Sequence, residues 1–342
     1  MNFHPILTED FRRIDNAIPD IANELYHKKV MITGAGGLIG AYLAEFLVWL
    51  NLERNASIRI VCLENWTSAA PDRLSHLGGL VSLLNFDIVW HQIKPTWETD
   101  YIFHAASIAA PRFYLRWPME TIKVHVMGTM KMCEHAKASG ARMVEFSSVE
   151  VYGEPGDVWR IPESYVGAVD PLSERACYSE SKRMAETVCM TAHRNEGIKV
   201  VIARPFNCYG PGERLDSGRV VPSIVNAGLN GKPFAIYGNG MHSRSYCYLS
   251  DVIIQLLCLA VRGEVGQAYN VGDGGSEMTL LSLAETAKRL GIIKAYERVG
   301  VEPKGEPTRR RPDTTKILGI TPLPTVWLEE GLKRTYDYYR SA

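Results

Sequence analysis

A strand that leads into a glycine-rich turn and an apolar helix most constrains how this chain can fold. The β run at residues 29–33 is followed by four glycines in seven residues and then by an apolar helix at residues 38–50. Gly34 permits a tight turn, Gly37 lets a ligand approach the backbone, and Gly40 lets the helix pack on the strand. Helix N–H groups at such a turn favour an anion. The sequence therefore predicts a dinucleotide pyrophosphate site at Gly34, Gly37, Leu38, Ile39 and Gly40.

Strand and helix signals alternate beyond this turn. Further strands are expected at residues 58–63, 101–105, 142–147 and 199–203, and helices at residues 121–139 and 177–195. This order implies right-handed βαβ crossovers and a parallel sheet buried on both faces. The predicted fold class is α/β, a Rossmann-type doubly wound parallel sheet with a smaller C-terminal substrate-binding lobe.

The chain is expected to divide into three parts. Residues 1–27 form an N-terminal extension of one or two helices that packs on the fold or on a partner subunit. Residues 28–204 form the dinucleotide-binding domain. Frequent Gly and Pro after residue 203 indicate a lobe of short elements at residues 205–342, from which about 249–272 return to the main sheet. Helices are expected at residues 279–290 and 328–340.

Composition excludes several classes of function. The 342 residues contain 38 Lys plus Arg and 38 Asp plus Glu, so no overall field favours nucleic acid or acidic membranes. Seven cysteines without a C-x-x-C pair argue for free thiols in a reducing compartment and against a zinc site. We see no signal peptide and no apolar run long enough to span a bilayer. The prediction is a cytoplasmic protein with no metal, nucleic-acid or membrane partner.

Acidic residues after two strands indicate which dinucleotide is bound. Glu64 ends the second strand, 24 residues after Gly40. A carboxylate there accepts hydrogen bonds from the ribose hydroxyls and repels a 2′-phosphate, which favours NAD over NADP. Asp87 and Ile88 are expected near the adenine if the third strand ends there.

Tyr178 and Lys182 form the candidate catalytic pair. They are one helical turn apart, so both project from one face of a helix. A free phenol, with an ordinary pKa of about 10, is a weak base at neutral pH. A neighbouring ammonium and the positive nicotinamide ring favour the phenolate, which can take a proton from an alcohol as hydride leaves the same carbon. Ser148, about 30 residues earlier in a Ser-Ser pair, would hold that hydroxyl.

In combination, these motifs resemble the extended short-chain dehydrogenases/reductases that act on nucleotide sugars. The resemblance covers residues 28–342, and residues 175–183 and 216–221 look most like UDP-glucuronate decarboxylases. The matching stretches are residues 33–40, 104–106, 147–153, 177–182, 204–211 and 309–313. It implies an NAD-dependent enzyme of surface polysaccharide or glycoconjugate precursor synthesis, with Ala105 and Ala106 at the cofactor.

The resemblance also implies a binding site for a UDP- or dTDP-linked sugar. Asn207 would contact its phosphates, and Arg244 and Arg310 would pair with the pyrophosphate. Arg219 and Tyr237 would lie near the base. An anionic diphosphate requires local cations in a chain of zero net charge, and a guanidinium fork suits that task.

Three departures from the family pattern bear on the reaction. Family 4,6-dehydratases carry Asp-Glu where this chain has Val149-Glu150, which argues against dehydration. Family decarboxylases usually carry Ser-Glu there, so Val149 counts against decarboxylation while Glu150 keeps it open as an assisting catalytic residue. His125 stands where the family usually has Asn, and its imidazole can preserve the hydrogen bond.

Hydride transfer at C4 of a nucleotide-diphosphate sugar is the favoured function. Because of Val149, a 4-epimerase or 4-ketoreductase ranks slightly ahead of a UDP-glucuronate decarboxylase. An alternative of another class is a non-catalytic dinucleotide-binding scaffold, but such proteins often lose the Tyr or the Lys. The family usually dimerises through two helices per subunit, here residues 119–138 and 177–195, so a homodimer is expected.

Overall fold

The computed structural model describes residues 3–94, 97–301 and 308–341. Its strands are β1 Lys29–Thr33, β2 Arg59–Glu64, β3 Ser82–Asn85, β4 Tyr101–His104, β5 Arg142–Phe146, β6 Lys199–Pro205, β7 Cys208–Tyr209, β8 Phe234–Tyr237, β9 Ser243–Ser245, β10 Cys247–Tyr248, β11 Ala268–Val271, β12 Glu277–Thr279, β13 Tyr296–Val299 and β14 Arg309–Arg310. Its helices are α1 Pro5–Ala17, α2 Pro19–Glu24, α3 Leu38–Arg54, α4 Pro111–Tyr114, α5 Pro118–Lys123, α6 Thr129–Ser139, α7 Ala176–Glu196, α8 Val220–Leu229, α9 Leu249–Arg262, α10 Leu280–Arg289, α11 Thr315–Leu318 and α12 Leu328–Arg340.

A seven-stranded parallel sheet organises the chain, as the sequence predicts. Its strand order is β11-β6-β5-β4-β1-β2-β3, and every neighbouring pair is parallel. The direction of winding reverses between β1 and β4, and ligands of open α/β sheets bind at such a point, beyond the carboxyl ends of the strands. The glycine turn follows β1 at this edge. The fold therefore places the candidate cofactor site between β1 and β4.

The sheet strands are apolar because helices cover both faces. α9 lies on one face together with α3, and its buried residues extend from Leu249 to Ala260. α6 and α7 cover the other face, where Met132 and Cys189 are buried. Continuous burial of this kind explains why the strands show no polar alternation.

The N-terminal extension packs on the fold, in line with one of the two placements predicted for it. Phe11 and Ile14 of α1 are fully buried in the core cluster that also contains α9. Asp10, also buried, accepts hydrogen bonds from the hydroxyls of Tyr42 and Tyr248 at 2.8 and 2.7 Å. Arg334 of α12 donates to the other oxygen of Asp10 at 2.8 Å. One buried carboxylate therefore joins the extension to α3, β10 and α12.

The lobe beyond β6 has its own core and lies over the carboxyl edge of the sheet. α8, α10 and α12 pack around Ile224, Leu283 and Leu332, which are fully buried. Three small sheets, β10-β7, β12-β9-β14 and β13-β8, complete the lobe. The sequence predicts α10 and α12 but indicates neither α8 nor these short strands.

One predicted helix is interrupted. The expected helix at residues 121–139 consists of α5, a π-helical turn at Val124–Gly128 and α6. π-helical turns often occur at functional sites, because the extra residue displaces side chains from the regular helical spacing. Here the turn contains His125. Among the described residues, no helix has both the length and the apolar composition needed to cross a membrane.

Candidate active site

The glycine turn leaves no room for side chains at its key positions. A Cβ on Gly34, whose φ is +63°, would lie 2.6 Å from the carbonyl oxygen of Ala105. A Cβ on Gly40 would lie 2.5 Å from the carbonyl oxygen of Gly34. Gly37 precedes α3 with no side chain to cap its first N–H groups. The turn thus presents bare backbone donors of the kind that bind phosphate.

Glu64 is buried at the end of β2, and the structure gives it partners that the sequence does not indicate. One carboxylate oxygen accepts the N–H of Gly36 at 2.8 Å, and the other accepts those of Asn65 and Trp66 at 3.0 and 3.1 Å. Burial raises the pKa of Glu64. The three hydrogen bonds act to lower it, but burial outweighs them. The carboxylate therefore supports the glycine turn, in addition to the role at the ribose that the sequence predicts for it.

The other residues predicted to bind the cofactor line a cavity next to Glu64 and the glycine turn. Asp87 accepts from the side-chain amide of Asn65 at 3.1 Å and from the N–H of Val89 at 2.8 Å. This cavity has a volume of about 180 Å³. The residues predicted to bind the cofactor that line it are Gly34, Gly37, Glu64, Asp87, Ile88, Ala105 and Ala106. A second cavity, of about 860 Å³, shares its wall at Gly34 and Gly37 and also contains Leu38, Ile39 and Gly40. Together they form one continuous cleft.

Tyr178 and Lys182 project from α7 into the larger cavity. The Tyr178 ring stacks on Tyr114, with ring centroids 5.1 Å apart, and meets the edge of His125 at 5.2 Å. Lys182 is 2% exposed, and its ammonium donates to the carbonyl oxygen of Phe146 at 2.5 Å. Packing therefore fixes the phenol ring, and one ammonium donor is held by the end of β5.

Ser148 caps a short 3₁₀ turn, Val149–Tyr152, that follows β5 and contains Glu150. The hydroxyl of Ser148 accepts the N–H of Glu150 at 3.2 Å. Both terminal nitrogens of Arg310 donate to the two oxygens of Glu150, and Arg175 lies 3.4 Å from one of them. Burial acts to raise the pKa of Glu150, but the charge of Arg310 and the other cations outweighs it, and the pKa is lowered. Glu150 is therefore an anion at neutral pH.

All five predicted substrate residues line the larger cavity. The Asn207 amide donates to the carbonyl oxygen of Ser245 at 3.2 Å, and Arg244 donates to that of Ser243 at 2.8 Å. Arg219 forms an ion pair with buried Glu213 at 3.1 Å, and Tyr237 is exposed at the rim. The structure brings this set together. It also pairs Arg310 with Glu150, whereas the sequence assigns that guanidinium to the pyrophosphate alone.

Comparisons with known proteins agree with this geometry. The model of the NAD dependent epimerase/dehydratase family matches residues 30–272. The chain belongs to this family. It is 37% identical over 318 residues to UDP-glucuronic acid decarboxylase 5 of Arabidopsis thaliana, covering 91% of this chain and 89% of that protein. It is 34% identical over 322 residues to UDP-glucuronic acid decarboxylase 1 of Danio rerio, covering 93% and 74%.

Two solved structures of epimerases share the fold. UDP-glucose 4-epimerase of Thermotoga maritima superposes with a TM-score of 0.80 and 25% identity, covering 92% of this chain and 99% of that one. UDP-glucuronic acid 4-epimerase of Bacillus cereus gives a TM-score of 0.79 and 24% identity, with the same coverage. The Rossmann-type architecture of this epimerase/dehydratase family member is thereby confirmed.

Sequence reasoning misses several residues of this family member's site. Ser107 lines the cleft, with its oxygen 2.7 Å from one ring nitrogen of His125. The other ring nitrogen lies 2.7 Å from Ser181, whose hydroxyl donates to the carbonyl of Cys177. Because Ser181 uses its hydroxyl proton in that bond, its oxygen accepts the N–H of the imidazole. The imidazole nitrogen that faces Ser107 then carries no proton and accepts a hydrogen bond from the Ser107 hydroxyl. Burial lowers the pKa of His125 well below its usual value, so the ring is neutral.

Two further parts of the cleft come from distant sequence. Tyr338 and Tyr339 of α12 reach its wall, and so does Arg73 from the loop after β2. Arg73 donates to both oxygens of buried Glu45 on α3 at 2.6 and 2.9 Å. No motif marks these residues, because Arg73 and the two tyrosines are far apart in the sequence and converge at the cleft only in the folded chain.

Proposed function

We propose that this family member decarboxylates UDP-glucuronate to a UDP-pentose, with NAD as its bound hydride carrier. The proposal is supported by its 34–37% identity to several UDP-glucuronic acid decarboxylases over about nine tenths of the chain. These relatives reverse the order that Val149 alone suggests. The observation that carries the proposal is ionised Glu150, held by Arg310 beside Ser148, with no acid next to it at position 149.

The residues of the glycine turn fit a dinucleotide. A pyrophosphate can approach the uncapped first turn of α3 because Gly34, Gly37 and Gly40 carry no side chains. The Glu64 oxygen that accepts only the N–H of Gly36 retains lone-pair capacity for a ribose hydroxyl, and burial of this carboxylate disfavours a 2′-phosphate. NAD, when bound, accepts a hydride from a carbinol carbon and later returns it.

Tyr178, Lys182 and Ser148 account for the oxidation of C4. Ser148 holds the C4 hydroxyl by hydrogen bonding, and the Tyr178 phenolate accepts its proton as the hydride leaves C4. The Lys182 ammonium stabilises the phenolate by Coulomb attraction. In the reverse step Tyr178 returns the proton to O4.

The 4-keto sugar explains why decarboxylation needs no acid at position 149. The C5 carboxylate is then β to a ketone, so the C5–C6 bond breaks, CO2 leaves, and the electron pair of that bond forms the enolate over C5, C4 and O4. C5 of the enolate then takes a proton from solvent, which gives the 4-keto pentose. Dehydration would instead require an acid to expel the C6 hydroxyl. Val149 is buried in an apolar cluster with Val151 and Phe206, and Glu150 is held ionised. This arrangement supports loss of CO2 over loss of water.

The charge of the cleft suits a substrate with both a diphosphate and a carboxylate. Three guanidinium groups surround Glu150, from Arg175, Arg244 and Arg310. Guanidinium groups pair well with carboxylates and phosphates.

Incubation with UDP-glucuronate and NAD tests the proposal. We expect release of CO2 and a UDP-pentose, identified by mass spectrometry and NMR. A product of unchanged mass with an inverted C4 would establish a 4-epimerase instead. That is the second candidate, favoured by Val149 because inversion at C4 needs no acid or base beyond Tyr178. Oxidation of added NADH with a dTDP-4-keto-6-deoxyhexose would indicate a ketoreductase.

A further inference from the structure

A buried carboxylate lies beside Lys182, and the scheme above does not use it. Glu145 is on β5, three residues before Ser148, and is 1% exposed. One of its oxygens is 3.9 Å from the ammonium of Lys182. The other oxygen has no hydrogen-bond partner among the described residues. A buried carboxylate with an unsatisfied oxygen is costly, so its presence next to the candidate catalytic lysine calls for a functional explanation.

The strand register fixes the position of Glu145. β5 pairs with β4 so that Glu145 is opposite His104, and β4 pairs with β1 so that His104 is opposite Thr33. One ring nitrogen of His104 is 2.7 Å from the Thr33 hydroxyl, and the other is 3.2 Å from Thr129 and 3.8 Å from Glu145. Burial, with the charge of Lys182, lowers the pKa of His104 to about 3. His104 is therefore neutral and cannot replace Lys182 as the cation that faces Glu145.

The other titratable groups near Glu145 carry compensated charges or none. Glu186 of α7 forms a two-point ion pair with Arg204 of β6 at 2.8 and 2.6 Å. Cys189 of α7 has its pKa raised well above the usual value by a hydrogen bond with Cys133 and by burial, so it remains a thiol. His125 of the π-helical turn is neutral, as described above. The local balance of charge thus rests on Glu145 and Lys182.

That balance bears directly on Tyr178. The ammonium of Lys182 favours the phenolate through its electric field. A carboxylate 3.9 Å from the same ammonium opposes that field, whereas a protonated carboxyl group does not. Both side chains are shielded from solvent, so screening by water and salt is weak.

We propose that Glu145 is a positioning residue that sets how strongly Lys182 activates Tyr178, weakening the activation when ionised and releasing it when protonated. Burial raises the pKa of Glu145 to about 7, opposed by Lys182 and reinforced by Glu186. Its protonation therefore changes within the pH range in which such an enzyme works. Two anions disfavour each other, so ionisation of Tyr178 should be spread over a wider pH range than that of a single group.

This inference rests on the Tyr178–Lys182 part of the proposed function and does not depend on which sugar is converted. The experiment measures tyrosinate formation by ultraviolet difference absorbance, each protein being compared with its own Tyr178→Phe partner. No sugar is present. In Glu145→Gln we expect the Tyr178 signal to shift to lower pH by about one unit and to become steeper. Glu145→Asp, which keeps a titrating carboxyl group, should restore the broad wild-type titration.

Two controls separate this role from general effects. Glu186→Gln removes another largely buried carboxylate of the same region without removing the partner of Lys182. Because Glu186 raises the pKa of Glu145, its loss should shift the Tyr178 signal, but by clearly less than Glu145→Gln does. With whichever nucleotide sugar is converted, the acid limb of kcat should shift with Glu145→Gln in the same direction. An unshifted Tyr178 signal in Glu145→Gln, or an equal shift in Glu186→Gln, overturns the inference. Failure to convert any nucleotide sugar would overturn the proposed function. The role of Glu145 would then be decided by the tyrosinate measurement alone.

Discussion

Arg310 donates from both terminal nitrogens to the two carboxylate oxygens of Glu150, 160 residues away in sequence. The pair joins β14, in the C-terminal lobe, to the 3₁₀ turn that carries Ser148. The turn after β5 and the C-terminal lobe therefore share one largely buried ion pair. Arg310 lowers the pKa of Glu150, so the pair keeps this carboxylate ionised and in place next to Ser148, where we propose that the sugar binds.

Arg310→Lys should impair this arrangement while keeping the positive charge. A lysine cannot reproduce the two-point contact, so we expect kcat to fall by about 10- to 100-fold, because displaced catalytic groups lose that much. The measurement is steady-state kinetics with UDP-glucuronate. Arg309→Lys is a suitable control, since Arg309 pairs with Glu277 instead. A wild-type kcat in Arg310→Lys would contradict the role given to the pair.

Tyr178→Phe separates an enzyme from a dinucleotide-binding scaffold. Loss of the phenol removes the proton acceptor, so turnover should fall by about 100-fold or more. The Phe ring can keep the stack on Tyr114, and NAD binding, followed by calorimetry, should be largely retained. A variant that converts substrate at the wild-type rate would remove Tyr178 from the mechanism and favour the scaffold.

Much of the fold follows from local sequence, and the reason is physical. The glycine turn, the alternating strands and helices, and the spacing of Tyr178 and Lys182 are features of neighbouring residues. Both the parallel sheet and the shared face of α7 are therefore predictable. The N-terminal stripe likewise predicts α1 and α2, because their apolar spacing matches a helix.

The remainder of the site depends on distant contacts. Nothing local indicates that Arg310 binds Glu150 or that α12 reaches the cleft. Glu145 did leave a signal, since a charged residue within an apolar strand is exceptional. Its partner Lys182 is 37 residues away on α7, and only the folded chain brings the two side chains together. The pairing of His125 with Ser107 also required the π-helical turn, which no pattern in the sequence predicts.

A homodimer is proposed through the helices that the sequence assigns to this role. Met130 of α6 and Met184 of α7 are 47% and 49% exposed, and Met127 between α5 and α6 is 40% exposed. Exposed methionines on adjoining helices are typical of a contact surface. Met130→Glu should therefore shift the protein from dimer to monomer in light scattering coupled to gel filtration.

Met241→Glu provides the matched control for the dimer. Met241 is 58% exposed and lies on the loop between β8 and β9, which belongs to neither α6 nor α7. It should leave the mass unchanged. A wild-type protein that is monomeric at all concentrations would contradict the proposed homodimer.

Glu45 and Arg73 should contribute to stability in a pH-dependent way. Burial acts to raise the pKa of Glu45, but Arg73 outweighs it, and the pKa in the folded protein is lowered. The ion pair then contributes to the free energy of unfolding. This contribution is fully present above the unfolded pKa of about 4.3 and is lost as pH falls through the lower pKa of the folded protein. Glu45→Gln leaves the buried Arg73 without its counter-charge, and we expect a loss of about 3–5 kcal/mol in the free energy of unfolding at neutral pH.

Urea denaturation at several pH values measures this effect. The difference in stability between wild type and Glu45→Gln should be largest near neutral pH and should shrink in acid, because only the wild type loses the ionised pair there. Glu98→Gln removes an exposed partner of Lys29 and should change the midpoint little, since solvent screens surface ion pairs. A Glu45→Gln protein as stable as the wild type at neutral pH would show that this buried pair does not hold α3 to the cleft wall.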